Sequence, residues 1–317
     1  MIRWGINALN HGSSLAVFKD ERLVSLDISH VDEIPSEIKL KALNYGGVPD
    51  RIHWYERPWV KKARQVYAGQ YGTAMDMSNL PSNYTRKTGL GYAPITYTPH
   101  HASHAAAGYY TSPFNHCAVV VLDAIGEFEC ATIWLCHHGK MKKVWSRSYP
   151  HSLGLYYSAF TKLIGLEPIK QEHLLQQMSE QGDPKRYRRE VGHYFGIDIL
   201  QLDYNFHKGV LNWSPKPATL QEQCDIAAAV QERFELEVGY IMAKAKSLTN
   251  ANCLVYMGGC AMNSQANKRE VEPKWKYIWS LPNPGDPSSS VGAVLYHTKD
   301  RVRDFTWDTV KHIEIKV

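Results

Sequence analysis

The feature that most constrains the fold of this 317-residue chain is a pattern of three short β-prone runs that occurs twice. In each copy an apolar strand ends in a loop of small and polar residues, a second strand follows, and a tight turn leads into a third. The runs are "RWGINAL", "SSLAVFKD" and "RLVSLDIS" in the first copy, and "CAVVVLDAIG", "ECATIWLCHH" and "GKMKKVWSRSY" in the second. Such an internal repeat predicts a duplicated α/β fold, with one lobe over residues 1–114 and another over 115–317.

The segments outside the two copies have mainly helical periodicity. Helices are expected at residues 34–45 and 59–70, whereas the Gly-, Asn- and Thr-rich stretch 78–94 is predicted to be a mobile loop. After the second copy, "EQCDIAAAVQERFELEVGYIMAKAKSL" predicts a long amphipathic helix. Near the end, the strand-like run "CLVYMGG" passes through two glycines into a helix, a step that lets a nucleotide approach the backbone closely.

The stretch "HHASHAAAGYY", which starts at His100, has helical composition and is rich in histidine. His100 and His104 are four residues apart, so on a helix both imidazoles project from one face and could bind a single metal ion. His101 would point elsewhere. A histidine pair is a weak signal by itself, and a solvated or capping cluster explains it equally well at this point.

Two aspartates are candidates for the same site. Asp123 ends the apolar run "AVVVLD" beside a glycine turn, where an acidic residue often faces a ligand cleft, although an ordinary turn cap would also fit. Asp286, in "NPGDPSSSVGA", stands just before the last predicted helix. It is either a third metal ligand or the N-cap of that helix.

Two further loops are candidates for substrate contacts. Gly258, Gly259 and Asn263 in "MGGCAMN" could hold a nucleotide, and the alternative is a tight packing turn. His11, in the first-copy loop "NHGSS", lies where a general base or a phosphate contact would be needed. A lone loop histidine is more often solvated, so both interpretations stay open for His11.

Composition limits the classes of function. A net charge of +5 and a pI near 8.7 permit a polyanionic partner but do not require one. The basic-aromatic runs "WVKK", "KMKKVW" and "KRYRR" could follow a phosphate backbone, or they could be solvated faces. The six cysteines form no CxxC pair, no apolar run is long enough to span a bilayer, and the N-terminus lacks a signal-peptide pattern. These features predict a cytoplasmic protein with reduced thiols and no membrane partner.

Seven motifs together resemble a known family, the NodU/TobZ-type O-carbamoyltransferases. They are "GINALNHGSS", "HHASHAAAGYYTSPF", "VVVLDAIGE", "YPHSLGLYYSAFT", "DIAAAVQERFE", "GGCAMNSQAN" and "LPNPGDPSSSVGA", in this order. The resemblance implies an ASKHA fold, the type of actin and the sugar kinases, in which two RNase H-like lobes flank a nucleotide cleft. It also implies an enzyme that consumes ATP and carbamoyl phosphate, forms carbamoyl-adenylate and transfers the carbamoyl group to an acceptor hydroxyl.

The resemblance also implies roles for individual residues of the candidate site. His100, His104 and Asp286 would bind a divalent metal, with Fe²⁺ favoured over Mn²⁺ or Mg²⁺. Asp123 would lie near the metal and the phosphates, as a catalytic residue. His11 would lie near the acceptor hydroxyl and the carbamoyl group, and it is the predicted base or orienting group.

The nucleotide contacts implied by the resemblance lie in two glycine turns. They are Gly258, Gly259 and Asn263 in one turn, and Gly126 and Glu127 in the other. Two segments depart from the family pattern. Its usual DGxGE is "DAIGE" here, and its glycine- and lysine-containing segment is "EHLLQQMSEQG".

The acceptor hydroxyl is predicted from the shape and charge that the resemblance suggests. Family members usually continue into a YrdC-like domain that makes carbamoyl-adenylate, whereas the printed sequence ends at Val317. A cleft left open on that side, near basic-aromatic runs, would accommodate a large anionic substrate. The favoured acceptor is therefore 5-hydroxymethylcytosine or a related hydroxymethylpyrimidine, in DNA or as a nucleotide, as for virus-encoded DNA-modifying enzymes.

Other functions compatible with the motifs are carbamoylation of a sugar or small-molecule hydroxyl, tRNA threonylcarbamoyl transfer, and a non-catalytic nucleotide-binding module. A homodimer or a separate activating protein is the expected protein partner.

Overall fold

The computed structural model describes residues 1–90, 93–214, 216–305 and 312–313. The strands are β1 (Ile2–Asn10), β2 (Gly12–Lys19), β3 (Arg22–Ser29), β4 (Arg51–Trp54), β5 (Ile95–Tyr97), β6 (His116–Gly126), β7 (Glu129–His137), β8 (Lys140–Ser148), β9 (Cys253–Met257), β10 (Tyr277–Trp279) and β11 (His312–Ile313). The α-helices are α1 (Ser36–Gly46), α2 (Pro58–Tyr67), α3 (Tyr71–Met75), α4 (Pro81–Thr88), α5 (His100–Thr111), α6 (Leu153–Leu163), α7 (Glu172–Ser179), α8 (Arg188–Gly192), α9 (Leu220–Thr249), α10 (Ser264–Ala266) and α11 (Ser289–Thr298). Short 3₁₀ turns lie at Pro184–Arg186, Phe206–Lys208, Gly259–Met262, Glu272–Lys274 and Asp286–Ser288, and a π turn at Asn267–Val271 continues α10.

The strands form two mixed sheets with the same internal order. Sheet A has the order β11-β3-β2-β1-β4-β5, and sheet B has the order β10-β9-β6-β7-β8. In each sheet three consecutive antiparallel strands form the meander, and two later strands join it in parallel beside the first strand. With β11 set aside, each strand of sheet A has one counterpart in sheet B. This confirms the predicted α/β class and the duplicated RNase H-like lobes of the ASKHA type.

Helices α5 and α11 lie between the two sheets. One apolar core joins them to a face of each sheet, through residues such as Phe18, Val121 and Val291. The opposite face of sheet A packs against α1, and the opposite face of sheet B packs against α6 and α9. The middle layer is tight, because a Cβ on Gly292 of α11 would lie 1.7 Å from the Ser103 carbonyl oxygen of α5.

The middle layer also connects the two predicted lobes. Helix α5, from residues 1–114, packs on β6, β7 and β9 of sheet B, whereas α11, from residues 115–317, packs on β1, β2 and β4 of sheet A. Each lobe therefore contributes a helix to the other sheet. The boundary at residue 114 stays a prediction, and the site described below depends on this exchange.

Helices α1 and α2 confirm the predictions at residues 34–45 and 59–70. The long amphipathic pattern is α9, whose N-terminus has a capping box formed by Thr219 and Glu222. Across the described ranges, none of the helices is long and apolar enough to cross a bilayer.

The prediction of a loop over residues 78–94 is wrong in its centre, which forms helix α4. Pro81 occupies the first helical position, and Gly89 takes the left-handed conformation just after the last turn. The buried Tyr84 anchors the helix to the core of sheet A. Composition suggested a loop because the residues that delimit a short helix are also typical of loops. Residues 91 and 92 lie outside the described ranges.

Candidate metal centre and active site

Helix α5 carries the histidines and begins at the cleft between the sheets. Pro99 precedes it in an extended conformation, and its first turn starts at His100. The small residues 105–108 let the helix lie close to sheet B, since a Cβ on Gly108 would lie 2.4 Å from Val255 Cγ1. All of its residues are buried. The histidine-rich turn is therefore inside the protein, which excludes the solvated-cluster alternative.

Four potential ligands converge beside this turn: His100 and His104 from α5, Asp123 near the end of β6, and Asp286 from the loop before α11. The Nε2 atoms of the two histidines lie 3.1 Å apart. Asp123 Oδ2 lies 3.1 Å from His100 Nε2 and 3.2 Å from His104 Nε2. Asp286 Oδ1 lies 3.4 and 3.3 Å from the same two nitrogens.

The spacing of these atoms suits a metal ion. Neighbouring ligands at about 2.0–2.1 Å from a metal lie about 2.8–3.0 Å apart in octahedral geometry and about 3.3–3.4 Å apart in tetrahedral geometry. The distances between the nitrogens, and from nitrogen to oxygen, are 3.1 to 3.4 Å, and all four ligand atoms lie within 4.8 Å of one another. A mixed set of imidazole and carboxylate ligands suits Fe²⁺ or Mn²⁺. The residues fit a divalent metal, and they add Asp123 to the ligands that the sequence predicted.

The charges of the four groups compensate one another. Burial disfavours protonation of His100, but the carboxylates of Asp286 and Asp123 outweigh it and raise the His100 pKa well above its usual value. At His104, burial again disfavours protonation, but the same two carboxylates outweigh it and raise the pKa. Burial alone would raise the pKa of each aspartate, yet contacts with the two histidines lower both. A divalent cation would replace the imidazolium protons and keep the carboxylates compensated.

Two of the predicted nucleotide-binding glycines pack directly against this group. A Cβ on Gly126 would lie 2.2 Å from His100 Cδ2 and 2.7 Å from His101 Cδ2, so a larger residue would displace a ring. A Cβ on Gly259 would lie 3.2 Å from Asp123 Oδ1. The His101 ring itself points away from the four ligands, as predicted, and its Nδ1 hydrogen-bonds to strand β7.

Gly258 and Asn263 lie in the turn after β9. Gly258 has a φ of 94°, and a Cβ there would lie 2.1 Å from the Leu122 carbonyl oxygen. Asn263 is buried, exchanges two hydrogen bonds of 2.9 Å with the Gln231 amide, and caps α10 through Oδ1. Both residues therefore have a clear packing role, and their nucleotide contact stays a prediction.

Glu127 is bound to Arg57 across the cleft. Its buried carboxylate accepts the Arg57 backbone N–H at 2.6 Å, and both oxygens accept from the guanidinium. This pair joins the start of α2 to the β6–β7 turn. A cavity of about 420 Å³ lies beside it, lined also by Trp134, Lys143 and Tyr296 rather than by the four candidate metal ligands. The predicted contact of Glu127 with a nucleotide stays a prediction.

The β1–β2 turn also contacts the candidate metal ligands. Asn10 Nδ2 donates to Asp286 Oδ2 at 3.4 Å, whereas the side chain of the next residue, His11, is exposed. The Ser14 hydroxyl donates to the Pro287 carbonyl at 2.6 Å and fixes the aspartate loop against β2. His11 therefore lies next to a residue that touches the site, and Asn10 is a site residue that the sequence did not reveal.

Tyr55, directly after β4, is a second site residue that sequence reasoning missed. Its buried ring lies 5.3 Å from the His100 ring. Burial raises the Tyr55 pKa well above its usual value, and nearby carboxylates, including Asp286, raise it further. The hydroxyl therefore remains protonated. Its sequence signal is weak, because aromatic residues after short apolar strands are common in cores.

Comparison with known families decides the assignment. Residues 55–295 match the family described as the carbamoyltransferase N-terminus. The chain belongs to this family. The matched region of this carbamoyltransferase-family chain contains Tyr55 and all four potential metal ligands, whereas the turn with Asn10 and His11 precedes it. The family predicted from the motifs is confirmed.

Relatives of this carbamoyltransferase-family chain are considerably longer. It is 31% identical over 225 residues to the uncharacterized protein sll1178 of Synechocystis. The match covers 64% of this chain and 36% of that protein. It is 23% identical over 326 residues to the nodulation protein NolNO of Sinorhizobium fredii. This match covers 90% of this chain and 44% of the relative. The chain thus spans less than half the length of these relatives.

A similar solved structure is (R)-2-hydroxyglutaryl-CoA dehydratase component A of Acidaminococcus fermentans. It aligns with 94% of this carbamoyltransferase-family chain and 99% of its own, at 10% identity and a TM-score of 0.48. This likeness is too remote to transfer any activity.

Proposed function

We propose that this chain transfers a carbamoyl group from carbamoyl phosphate to an acceptor hydroxyl, with ATP and a divalent metal. The observation that carries the proposal is the convergence of His100, His104, Asp123 and Asp286 within the region that matches the family. The sequence resemblance supplies ATP, carbamoyl phosphate and the carbamoyl-adenylate intermediate.

The transfer forms one bond and breaks another. The acceptor oxygen attacks the carbamoyl carbon, the bond from that carbon to the phosphate oxygen breaks, and the phosphate or AMP leaves with the electron pair. A metal held by the four side chains would polarise the carbamoyl carbonyl and offset the phosphate charge. His11 is the proposed base for the hydroxyl proton, because it lies beside Asn10, which contacts Asp286.

Other residues of the chain would orient the reactants. The Tyr55 hydroxyl, protonated because of its raised pKa, can donate a hydrogen bond beside His100. The nucleotide is proposed to lie along Gly258, Gly259 and Asn263, where the lack of a side chain at Gly259 leaves the backbone beside Asp123 open. The buried histidines keep their ligand nitrogens away from bulk water.

The proposed acceptor is a hydroxymethylpyrimidine, in DNA or as a nucleotide. However, ion pairs within the basic-aromatic runs reduce the positive charge available to bind DNA. In "KRYRR", Arg186 and Arg188 pair with acidic residues of α9, and in "KMKKVW", Lys143 pairs with Glu129. Lys185 of the first run is exposed. Because these pairs weaken the electrostatic case for DNA, a sugar or small-molecule hydroxyl is the competing acceptor class.

The deciding experiment is mass spectrometry of DNA that contains 5-hydroxymethylcytosine, after incubation with the protein, Fe²⁺ or Mn²⁺, ATP and carbamoyl phosphate. The expected product carries one added carbamoyl group and is absent when the metal, ATP or carbamoyl phosphate is omitted. Parallel reactions with the free nucleotide, sugars and tRNA distinguish the acceptor classes. If no hydroxyl substrate gains a carbamoyl group, the proposal of transferase activity fails.

His104→Ala is expected to abolish bound metal and transfer together, because it removes one ligand and leaves the two carboxylates less compensated. Elemental analysis and the transfer assay are done on the same preparation. His116→Ala, at an exposed histidine, is the control and should retain both properties. Full transfer by metal-depleted His104→Ala protein would remove the metal from the mechanism.

A further inference from the structure

Arg64, on helix α2, is a buried cation. Within the described ranges it is the one arginine or lysine that is buried, with 8% of its surface exposed. Burial lowers its pKa, and the carboxylate of Glu56 only partly offsets this effect. An arginine nevertheless keeps its proton under all ordinary conditions. The interior of the protein therefore contains a permanent positive charge.

The charge of Arg64 is not compensated by an ion pair in the described structure. Other arginines of this chain, such as Arg233 and Arg269, pair with glutamates. Arg64 instead donates from Nη1 to the neutral Gln70 Oε1 at 2.7 Å, and its buried Nε has no partner among the described residues. Glu56 is already paired with Lys61, at 2.7 Å. Burying a cation without a counter-ion is costly, so this arrangement favours a bound anion.

Neutral side chains connect Arg64 with the second predicted lobe. Because Gln70 Oε1 accepts from Arg64, the Gln70 Nε2 donates to His207 Nε2 at 3.2 Å. His207 then carries its proton on Nδ1 and donates it to the Tyr149 hydroxyl at 3.3 Å. Burial, and then the charge of Arg64, lower the His207 pKa and keep the ring neutral. The chain of hydrogen bonds orients the guanidinium without neutralising it.

The buried thiol of Cys130 is influenced by the charges of both Arg64 and Asp123. Burial raises the pKa of the Cys130 thiol, on β7, and both the Asp123 carboxylate and the Arg64 guanidinium are among the charges that act on it. Cys130 is thus within electrostatic range of both groups.

We infer that Arg64 binds the phosphoryl group of a phosphorylated substrate in the cleft between the lobes. A guanidinium suits this role, because its planar donors match phosphate oxygens in pairs. The proposed function supplies two sources of this chemistry, carbamoyl phosphate and the nucleotide polyphosphate. The identity of the substrate rests on that function, whereas the anion site itself does not.

The test is calorimetric binding of inorganic phosphate, carbamoyl phosphate and ATP, each separately, to the metal-loaded protein without acceptor. Arg64→Gln is expected to weaken binding of phosphate and carbamoyl phosphate at least tenfold and to abolish the rise in Tm that phosphate gives the native protein. Arg64→Lys keeps the charge but loses the paired donors. It should bind phosphate and carbamoyl phosphate with affinities between those of the native protein and Arg64→Gln. Arg188→Gln, at an exposed ion pair, is the control.

The stability of the variants separates an anion site from a structural arginine. Without phosphate, Arg64→Gln should be at least as stable as the native protein, because an uncompensated buried charge is removed. Binding unchanged within twofold, or loss of folding in both Arg64 variants, would overturn the inference. Weakened binding of ATP alone would assign the site to the nucleotide. If the native protein binds phosphate through Arg64 but transfers no carbamoyl group, the proposed function fails and the anion site stands.

Discussion

The β1–β2 and β6–β7 turns occupy equivalent places in the two sheets, and both lie beside the candidate metal ligands, yet their chemistry differs. In sheet A, Asn10 contacts Asp286 and the side chain of His11 is exposed. In sheet B, Gly126 packs against the His100 ring and Glu127 is buried in an ion pair. Duplication thus places two turns at one site. The first turn is open, with an exposed side chain, whereas the second is closed by an ion pair and packs against the His100 ring.

The largest effect is expected in the open turn, from His11→Ala. If His11 removes the hydroxyl proton, its loss should lower kcat for transfer by about 10²–10⁴-fold and leave metal content unchanged. Asn10→Ala should instead lower metal affinity, because Asn10 contacts the Asp286 carboxylate. Metal titration and single-turnover transfer on both variants test this division. Equal loss of metal in the two variants would contradict a catalytic role for His11.

In the closed turn, Gly126→Ala should lower metal affinity by about 10–100-fold. The new Cβ would lie 2.2 Å from His100 Cδ2, and that ring is buried, so the substitution would displace it. Metal titration followed by circular dichroism separates lost affinity from lost structure. Gly72→Ala is the matched control, because its Cβ would meet nothing within 4 Å. Native affinity in Gly126→Ala would show that the turn does not position His100.

The closure of the second turn depends on the ion pair between Arg57 and Glu127. A double-mutant cycle with Arg57→Gln and Glu127→Gln should give a coupling free energy of about 1–2 kcal/mol in urea unfolding, because one partner is buried and the other half exposed. The pair Arg188 and Glu232, exposed on the surface, should give less. Equal coupling in the two pairs would mean that the turn is held by packing alone.

Sequence reasoning succeeded where the determining interactions are local. The strands alternate within each meander, and His100 and His104 share a face because helix geometry fixes the spacing of neighbours. It failed where the partner is distant in sequence. Nothing near Glu127 indicates Arg57, and nothing near Arg64 indicates that the fold will bury its charge without a carboxylate.

The candidate metal ligands show the same limit. Motifs predicted three of them, but the position of Asp123 beside the histidines depends on where the end of β6 meets the start of α5, which is a property of the assembled sheets. Asn10 and Tyr55 were missed for a related reason. An amide in a turn and an aromatic residue after a strand become site residues only through their distance from Asp286 and His100.

The smallest effect is expected on the pH dependence of stability, and it concerns the inner strands β4 and β9. These strands occupy equivalent places in sheets A and B. Strand β4 buries a titratable residue, His53, whereas β9 presents Val255 and Met257 to the shared core. Burial, with help from the neighbouring His297, lowers the His53 pKa to about 3 from its usual 6.5. In the folded protein the His53 imidazole therefore stays unprotonated, whereas in the unfolded chain it takes up a proton as the pH falls below 6.5. Stability from this residue is complete above that pH and declines towards pH 3.

His53→Phe should remove this decline in the free energy of unfolding, because phenylalanine does not take up a proton. Between pH 7 and pH 6 the native protein should lose about 0.7 kcal/mol more unfolding free energy than the variant, since one pKa unit corresponds to about 1.4 kcal/mol. Urea unfolding of the native protein and of His53→Phe at the two pH values measures the difference. An identical pH dependence in native protein and His53→Phe would mean that His53 takes up its proton without unfolding. Strand β4 would then accommodate an imidazolium on the face where β9 carries Val255 and Met257, so the two inner strands would differ in charge tolerance as well as in sequence.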